Sequence, residues 1–304
     1  MGIQSVVCRV AVVVATCVAS FANATTAQRT FVASNGVDTN ACTRTQPCRG
    51  FAAAMIKTSP GGEVVVLDAA GYGPVVITQS VSIVAPQGVY AGVSVLSGTG
   101  ISVNAAAIKV RIQGLTINAQ AANLHGIDFY DGAELVVENC EISGMLLGIT
   151  ASSASGKLVV RNSVFLDNGY GINTNGPVAV VVDGAAFYSN GSAVNGSGGQ
   201  INISNSVLAR STLTGVLATA APYSVQIVVS HCILTGNDTT FAVAAASGLN
   251  ASIVSDANEI SYTNLVFNFG GSGGSEGIYT RTNNTVGYYN FLITGGSLTT
   301  LGPI

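Results

Sequence analysis

The sequence is short of charge and of large aromatic side chains. Of its 304 residues 8% are charged and 7% aromatic, Trp is absent, and His occurs twice. Ordinary soluble domains are about a quarter charged. A chain this poor in charge, with a mean hydropathy of +0.50, is not intrinsically disordered, because disorder needs low hydrophobicity and high charge. It is not a coiled coil either, since that needs heptads rich in Ala, Glu, Lys, Leu and Arg. With 11 Lys and Arg against 14 Asp and Glu, and a pI near 5.2, it lacks the basic footprint of a nucleic-acid binder. Motifs are missing as well. There is no Gly-rich nucleotide loop, no zinc-ligand spacing and no nucleophile elbow. No apolar run reaches the ~18–20 residues of an integral membrane span. Without Trp girdles, an outer-membrane barrel is poorly supported too.

The longest apolar run, Val10 to Ala19, follows Arg9 and precedes Ala22-Asn23-Ala24. That is the pattern of a secretory signal peptide over residues 1–24, cleaved near Ala24. It predicts a secreted, periplasmic or cell-surface location. Cys8 and Cys17 leave with the leader. Cys42 and Cys48 lie close in Cys42-Thr-Arg-Thr-Gln-Pro-Cys48, and in an oxidising compartment they predict a disulfide closing a small loop.

The clearest positive signal is an internal repeat. Six eight-residue units align without gaps, starting at Val110, Leu135, Leu158, Val180, Ile201 and Ile227, and Ile253 opens a weaker seventh. Start-to-start spacings are 25, 23, 22, 21 and 26. Between them a second motif recurs as Gly126-Ile127, Gly148-Ile149, Gly171-Ile172, Ala193-Val194, Gly215-Val216 and Ala242-Val243. In each unit positions 1 and 3 are apolar, position 5 is Asn, Gly or His, and positions 6 and 8 are small or apolar. Alternation therefore changes phase at position 5, and the chain bends there on residues that tolerate left-handed backbone angles. Two strands from the unit and one from the Gly-Ile motif make three per turn. The prediction is an all-β, single-stranded right-handed parallel β-helix, its coils stacked about 4.8 Å apart.

The chain ahead of the repeat points the same way. Thr30 to Asp38 looks like an opening strand and turn, Pro47 to Lys57 like a short N-terminal capping helix, and Gly61 to Asp68 and Val75 to Ile83 like first coils. Together these segments resemble the pectate-lyase-like β-helix superfamily, and within it secreted bacterial proteins with parallel β-helix repeats. The organisation expected is a strand, disulfide loop and cap over 25–60, β-helix coils over 61–260, and C-terminal coils with an irregular tail over 261–304. The resemblance specifies the fold but not the activity, because such folds carry lyases, glycoside hydrolases, epimerases, adhesins and phage spikes. Polygalacturonase-like hydrolases show adjacent aspartates, and this chain has no Asp-Asp. Pectate lyases set Ca²⁺-binding acids beside a catalytic Arg.

Stacking assigns the polar residues to columns. Position 4 reads Gln113, Glu138, Arg161, Asp183, and the residue before position 1 reads Lys109, Glu134, Lys157. Both are predicted to be alternating charge ladders on the outside. Position-5 Asn side chains are expected to hydrogen-bond to one another inside the bend. Cys140 and Cys232 share position 6, lie about 19 Å apart at four strand spacings, and read as separate buried thiols. Val164, Val207 and Ile233 at position 7 form an outward apolar strip that the C-terminal segment or another subunit could cover.

Candidate chemistry concentrates in two places. The strand after Gly-Ile is expected to project Asp128, Thr150, Asn173 and Asn195 outward, followed by Tyr130 and Asn175, as a shallow glycan-binding face. The densest acid cluster, Asp128, Asp131, Glu134, Glu138 and Glu141 with His125, suggests an acid–base or Ca²⁺ site, of which His125, Asp128 and Asp131 could converge locally. Lys109 and Arg111 offer the base and cation of a polysaccharide lyase. No resident metal or cofactor is required by these residues. The function expected is an exported, non-enzymatic glycan-binding or cell-surface protein whose partner is a polysaccharide. A lyase or glycoside hydrolase with an atypical site is the first alternative, and a spike-like oligomeric module the second.

Overall fold

A computed structural model describes residues 26–301 apart from Ala154, Ser272 and Thr282. The expected leader, with Cys8 and Cys17, lies outside the described residues. Those residues form a right-handed parallel β-helix with a single helix, Phe51–Lys57. One row of strands makes a 12-stranded parallel sheet, running from Ala27–Val32 through Lys109–Gln113, Glu134–Glu138 and Lys157–Arg161 to Thr299–Leu301. The other two rows make an 18-stranded sheet. In it Glu141–Ser143, Val164–Leu166 and Ala186–Tyr188 belong to the second row, and His125–Asp131, Leu147–Ala151 and Tyr170–Thr174 to the third. Among the described residues no helix is long and apolar enough to cross a membrane.

Register follows the repeat. Leu135 pairs with Val110 and Leu158, and Val137 with Ile112 and Val160. The inward column of the second row runs Ile117, Ile142, Phe165, Phe187, Leu208, Leu234, all buried. Like side chains stack on like. The Phe165 and Phe187 rings lie 4.7 Å apart and 7° from parallel, which adds an aromatic contact to the burial itself. The third row stacks Ile127, Ile149, Ile172 and Val194 in the same manner. Its glycines are needed for close approach. A Cβ on Gly126 would stand 2.5 Å from the Gly148 carbonyl oxygen of the next coil.

Every position-5 residue is left-handed, from Gly114 (φ 76°) through Asn139 (52°), Asn162 (46°), Gly184 (64°) and Asn205 (50°) to His231 (54°). These side chains do not hydrogen-bond to one another inside the bend as expected. Asn139, Asn162, Asn205 and His231 are exposed, because a left-handed residue at a convex corner turns its side chain to solvent. The internal amide ladder sits at the next bend. There Asn168 Nδ2 donates to Asn190 Oδ1 at 3.0 Å and to the Ile142 carbonyl at 3.0 Å, while its Oδ1 accepts the Met145 N–H at 2.9 Å.

The N-terminal end is closed by the helix, whose Phe51, Ala54 and Met55 are buried, with Phe51 against Tyr72 at 5.3 Å. Cys42 and Cys48 form the disulfide. Cys140 and Cys232 are free and buried. At the other end Glu259–Phe269 and Thr285–Thr294 continue the 18-stranded sheet in register. They extend the solenoid rather than folding back over Val164, Val207 and Ile233. Ile233 remains exposed, so among the described residues the C-terminal segment does not cover that strip.

Candidate functional site

The site is built on the strand His125–Asp131 of the third row. Alternation buries Ile127 and Phe129 in the core and turns Asp128 to the outer side. Turned outward, Asp128 is nevertheless 0% exposed. Its neighbours explain why. The strand stays in register across Gly126, with His125 and Ile127 beside Thr99 and Ile101 on one side and Leu147 and Ile149 on the other, and three side chains engage the carboxylate. His125 Nδ1 lies 3.0 Å from Asp128 Oδ1, Tyr130 OH donates to Oδ2 at 3.0 Å, and Thr99 Oγ1 donates to Oδ2 at 2.6 Å. A buried carboxylate is tolerable only when its lone pairs are met in this way.

The result is a clamp. Asp128 is hidden, while the Tyr130 phenol is 48% exposed and His125 stands part-way in solvent. The His125 Nδ1 faces the carboxylate, which leaves Nε2 as the ring nitrogen not engaged by Asp128. The hydrogen bond to Asp128 and partial burial raise the Tyr130 phenol above its ordinary value, since both favour the neutral form. Tyr130 is therefore a neutral hydrogen-bond donor to Asp128 with its ring half in solvent.

Thr150 and Asn173 follow Asp128 in register and are buried, while Asn195 is half-buried. The strip expected to project outward is thus a largely buried floor. It is flanked by the column His125, Leu147 and Tyr170 on one side and by Tyr130, Ser152 and Asn175 on the other. Amides link part of the floor. Asn195 Nδ2 donates to Asn173 Oδ1 at 2.7 Å, and Asn173 Nδ2 to Asn175 Oδ1 at 3.0 Å. Thr150 Oγ1 and Asn195 Oδ1 are buried without a partner.

The remaining candidates lie apart from this cluster. Asp131 does not join His125 and Asp128; its Oδ1 accepts the N–H of Gly132 at 2.8 Å, a bond to its own turn. Lys109 and Arg111 belong to the first row. Arg111 is committed there, with Nη2 at 2.6 Å from Glu138 Oε2, and Arg161 Nη1 donates to Glu138 Oε1 at 3.0 Å. Burial acts to raise the Glu138 carboxyl, but the two guanidiniums outweigh it and hold it below its ordinary value. Lys157 approaches Glu134 at 3.9 Å, and Glu134 sits beside Lys109 in register. Each ladder thus carries one ion pair, Glu138–Arg161 and Glu134–Lys157, while Asp183 accepts instead from Ser204 and Asn205. Among the described residues no three His, Cys, Asp or Glu side chains gather as a metal site.

Aromatic side chains exposed near the C-terminal end are not among the residues that the sequence singled out. Tyr262 and Tyr288 stack with centroids 5.0 Å apart. Their signal was the same 26-residue spacing as the preceding coil, beyond the weak seventh unit where the repeat had faded.

Comparison with known proteins agrees with this architecture. The family model described as right handed beta helix region matches residues 99–260. The crystal structure of alginate lyase from Paenibacillus sp. str. FPU-7 superposes with a TM-score of 0.63 over 88% of this chain and 99% of that one, at 16% identity. The GH136 lacto-N-biosidase from Eubacterium ramulus superposes with a TM-score of 0.53 over 90% of this chain and 67% of that one, at 10% identity. At such identities the likeness is one of fold. No curated protein matches the sequence.

Proposed function

The chain belongs to the right-handed β-helix family, and from that premise we propose that it is an exported glycan-binding protein that holds its ligand without cleaving it. One observation carries the proposal, namely the clamp in which buried Asp128 fixes the exposed Tyr130 ring and the His125 imidazole beside a polar floor. Burying a carboxylate is costly and adds nothing a Thr or Asn of the same column would not give the fold. What it provides is two preorganised side chains on the rim, an aromatic face and a ring nitrogen, next to the Asn175 and Asn195 amides. Pyranose rings are met by such a combination of apolar faces and fixed hydrogen-bonding groups. The two structural neighbours are named alginate lyase and lacto-N-biosidase, names of proteins that act on glycans.

The same groups argue against turnover. Glycoside hydrolysis uses two carboxyl groups roughly 5–9.5 Å apart across the scissile bond. Here the one carboxylate on the rim cluster has its oxygens occupied by Thr99, His125 and Tyr130. Uronate elimination needs a cation on the substrate carboxylate, and Arg111 and Arg161 are engaged by Glu138 on another row. Among the described residues the rim columns His125, Leu147, Tyr170 and Tyr130, Ser152, Asn175 carry no Lys or Arg, which favours neutral sugars over uronates. The Cys42–Cys48 disulfide supports export to an oxidising compartment.

The test is to titrate the full chain with a polysaccharide panel by calorimetry while following reducing ends and unsaturated-uronide absorbance. Binding without turnover, weakened in Tyr130→Ala and Asn175→Ala, is the expected result. Turnover that disappears in His125→Ala or Asp128→Asn would overturn the proposal and make the clamp a catalytic base with its orienting partner.

A further inference from the structure

The second bend carries a column of left-handed residues, Asp167, Ser189, Arg210, Gly236, Tyr262 and Tyr288, one per coil. Such positions favour Gly and Asn, and bulky residues are uncommon there. Two tyrosines in succession are therefore not a backbone requirement. Nor do they serve the core, being 67% and 76% exposed. Their rings lie 4° from parallel, so together they form one stacked aromatic plate on the surface.

Next to the plate the column has an empty rung. Gly236 supplies no side chain between Arg210 and Tyr262. Two strand steps separate those residues, about 9.6 Å, so a flat ring at mid-height would lie roughly one strand spacing from each. Arg210 bounds the gap on its far side, its stem close to Gly236 and its guanidinium 5.9 Å from the Tyr188 ring centre. A groove of about 810 Å³ opens here. Along its other edge runs an amide row, where Asn264 Nδ2 donates to Asp238 Oδ1 at 3.2 Å and Asn290 Nδ2 to Asn264 Oδ1 at 2.9 Å. This row leaves Asp238 Oδ2 and Asn290 Oδ1 as outward acceptors. Buried Ser211, also lining the groove, has a hydroxyl oxygen with no hydrogen-bond partner.

We propose that this groove is a second carbohydrate-binding site, in which a hexopyranose ring fills the rung at Gly236 with its C–H face on Tyr262 and its hydroxyls on the Asp238–Asn264–Asn290 row. An aromatic plate flanked by carboxylate and amide acceptors suits a ring with one apolar face and an equatorial rim of hydroxyl donors. A nucleotide would need cations for its phosphates, and here Arg210 shares the groove with the carboxylate of Asp238. The site shares its ligand class with the proposed function but none of its residues. It lies on coils C-terminal to Asn195.

The chain has no Trp and ten Tyr, so binding is read from tyrosine emission, and the Tyr262→Ala and Tyr130→Ala variants assign the signal to one site or the other. The full chain is titrated with cellohexaose, mannohexaose and an alginate hexasaccharide by fluorescence and calorimetry. The expected result is quenching by at least one of them, binding weakened about tenfold in Tyr262→Ala, and binding kept in Tyr262→Phe, which retains the ring. Should Tyr262→Ala fail to fold, Asn290→Ala, at an exposed side chain, is expected to weaken binding in the same titration. The proposal is overturned if none of the three probes binds, or if every bound probe is lost in Tyr130→Ala and Asn175→Ala and unaffected by Tyr262→Ala and Asn290→Ala, an outcome that leaves the first site standing. The reverse pattern supports this site and removes the first.

Discussion

The hydroxyl of Tyr130 donates to Asp128 at 3.0 Å, joining a ring half in solvent to a carboxylate that water does not reach. The fold's polar interior and its candidate binding surface meet at that bond. Asp128→Ala strands the Thr99 hydroxyl and frees both rim side chains, and is expected to lower unfolding free energy by about 1–3 kcal/mol, read by urea denaturation.

The same pair sets a pH response. The carboxylate raises the folded-state phenol value, so this contribution is complete below the unfolded phenol's value of about 10 and fades as pH rises through the higher folded one. In Asp128→Asn the Tyr130 phenol is expected to titrate closer to its ordinary value, followed by carbon NMR of labelled tyrosine. An unchanged Tyr130 titration would show that the carboxylate is not the cause.

Glu138 governs the acid side. Its carboxyl is held below the ordinary value because Arg111 and Arg161 outweigh the effect of burial. A depressed carboxyl stabilises above its unfolded value, near 4.5, and loses that contribution as pH falls through the folded one. Glu138→Gln is expected to cost about 1 kcal/mol at neutral pH and to reduce the loss of stability on acidification. Thermal melts across pH 2–7 check both, and added salt should shrink the difference.

Asn168 is expected to be among the most sensitive polar positions. Replacing it by Ala leaves the Met145 N–H and the Ile142 carbonyl without their partner inside the bend. A loss of about 2–4 kcal/mol follows from two stranded buried groups. Asn162→Ala, at an exposed left-handed corner, is expected to cost less than half as much in the same denaturation series.

The cysteines divide into two classes. Burial pushes the Cys140 and Cys232 thiols up to about 11, so they should resist alkylation in the native chain and react once it unfolds, seen by peptide mapping. Reducing Cys42–Cys48, which closes a loop of sequence separation 6, is expected to lower stability by about 2 kcal/mol on chain-entropy grounds.

The repeat was legible because inward positions have little freedom. Phe165 above Ile142 and below Phe187 must keep both pitch and phase, so six units declared their own register. Charges were legible for a related reason, since Glu138 beside Arg161 is a neighbour relation that alignment alone supplies. Side-chain direction at corners was not. Asn at position 5 satisfies a left-handed angle and then faces solvent, whereas Asn168, Asn190 and Asn237, each three residues past an inward Phe or Leu, carry the internal ladder. Asp128 faces the outer side as alternation requires, but its burial was not legible, because alternation says nothing of how tall the neighbours stand. The Tyr262–Tyr288 plate was missed because it lies where the units degrade while the coils continue.

The alignment of each coil with the next has a consequence for how such a chain changes over generations. Contacts reach only the adjoining coils, so gain of one complete 22-residue unit inserts a new step into every column at once, core and surface alike. The empty rung at Gly236 and the plate beside it can thus have arisen by copying and local revision, with the older coils left as they were. Length and ligand preference are then separately heritable in one continuous molecule.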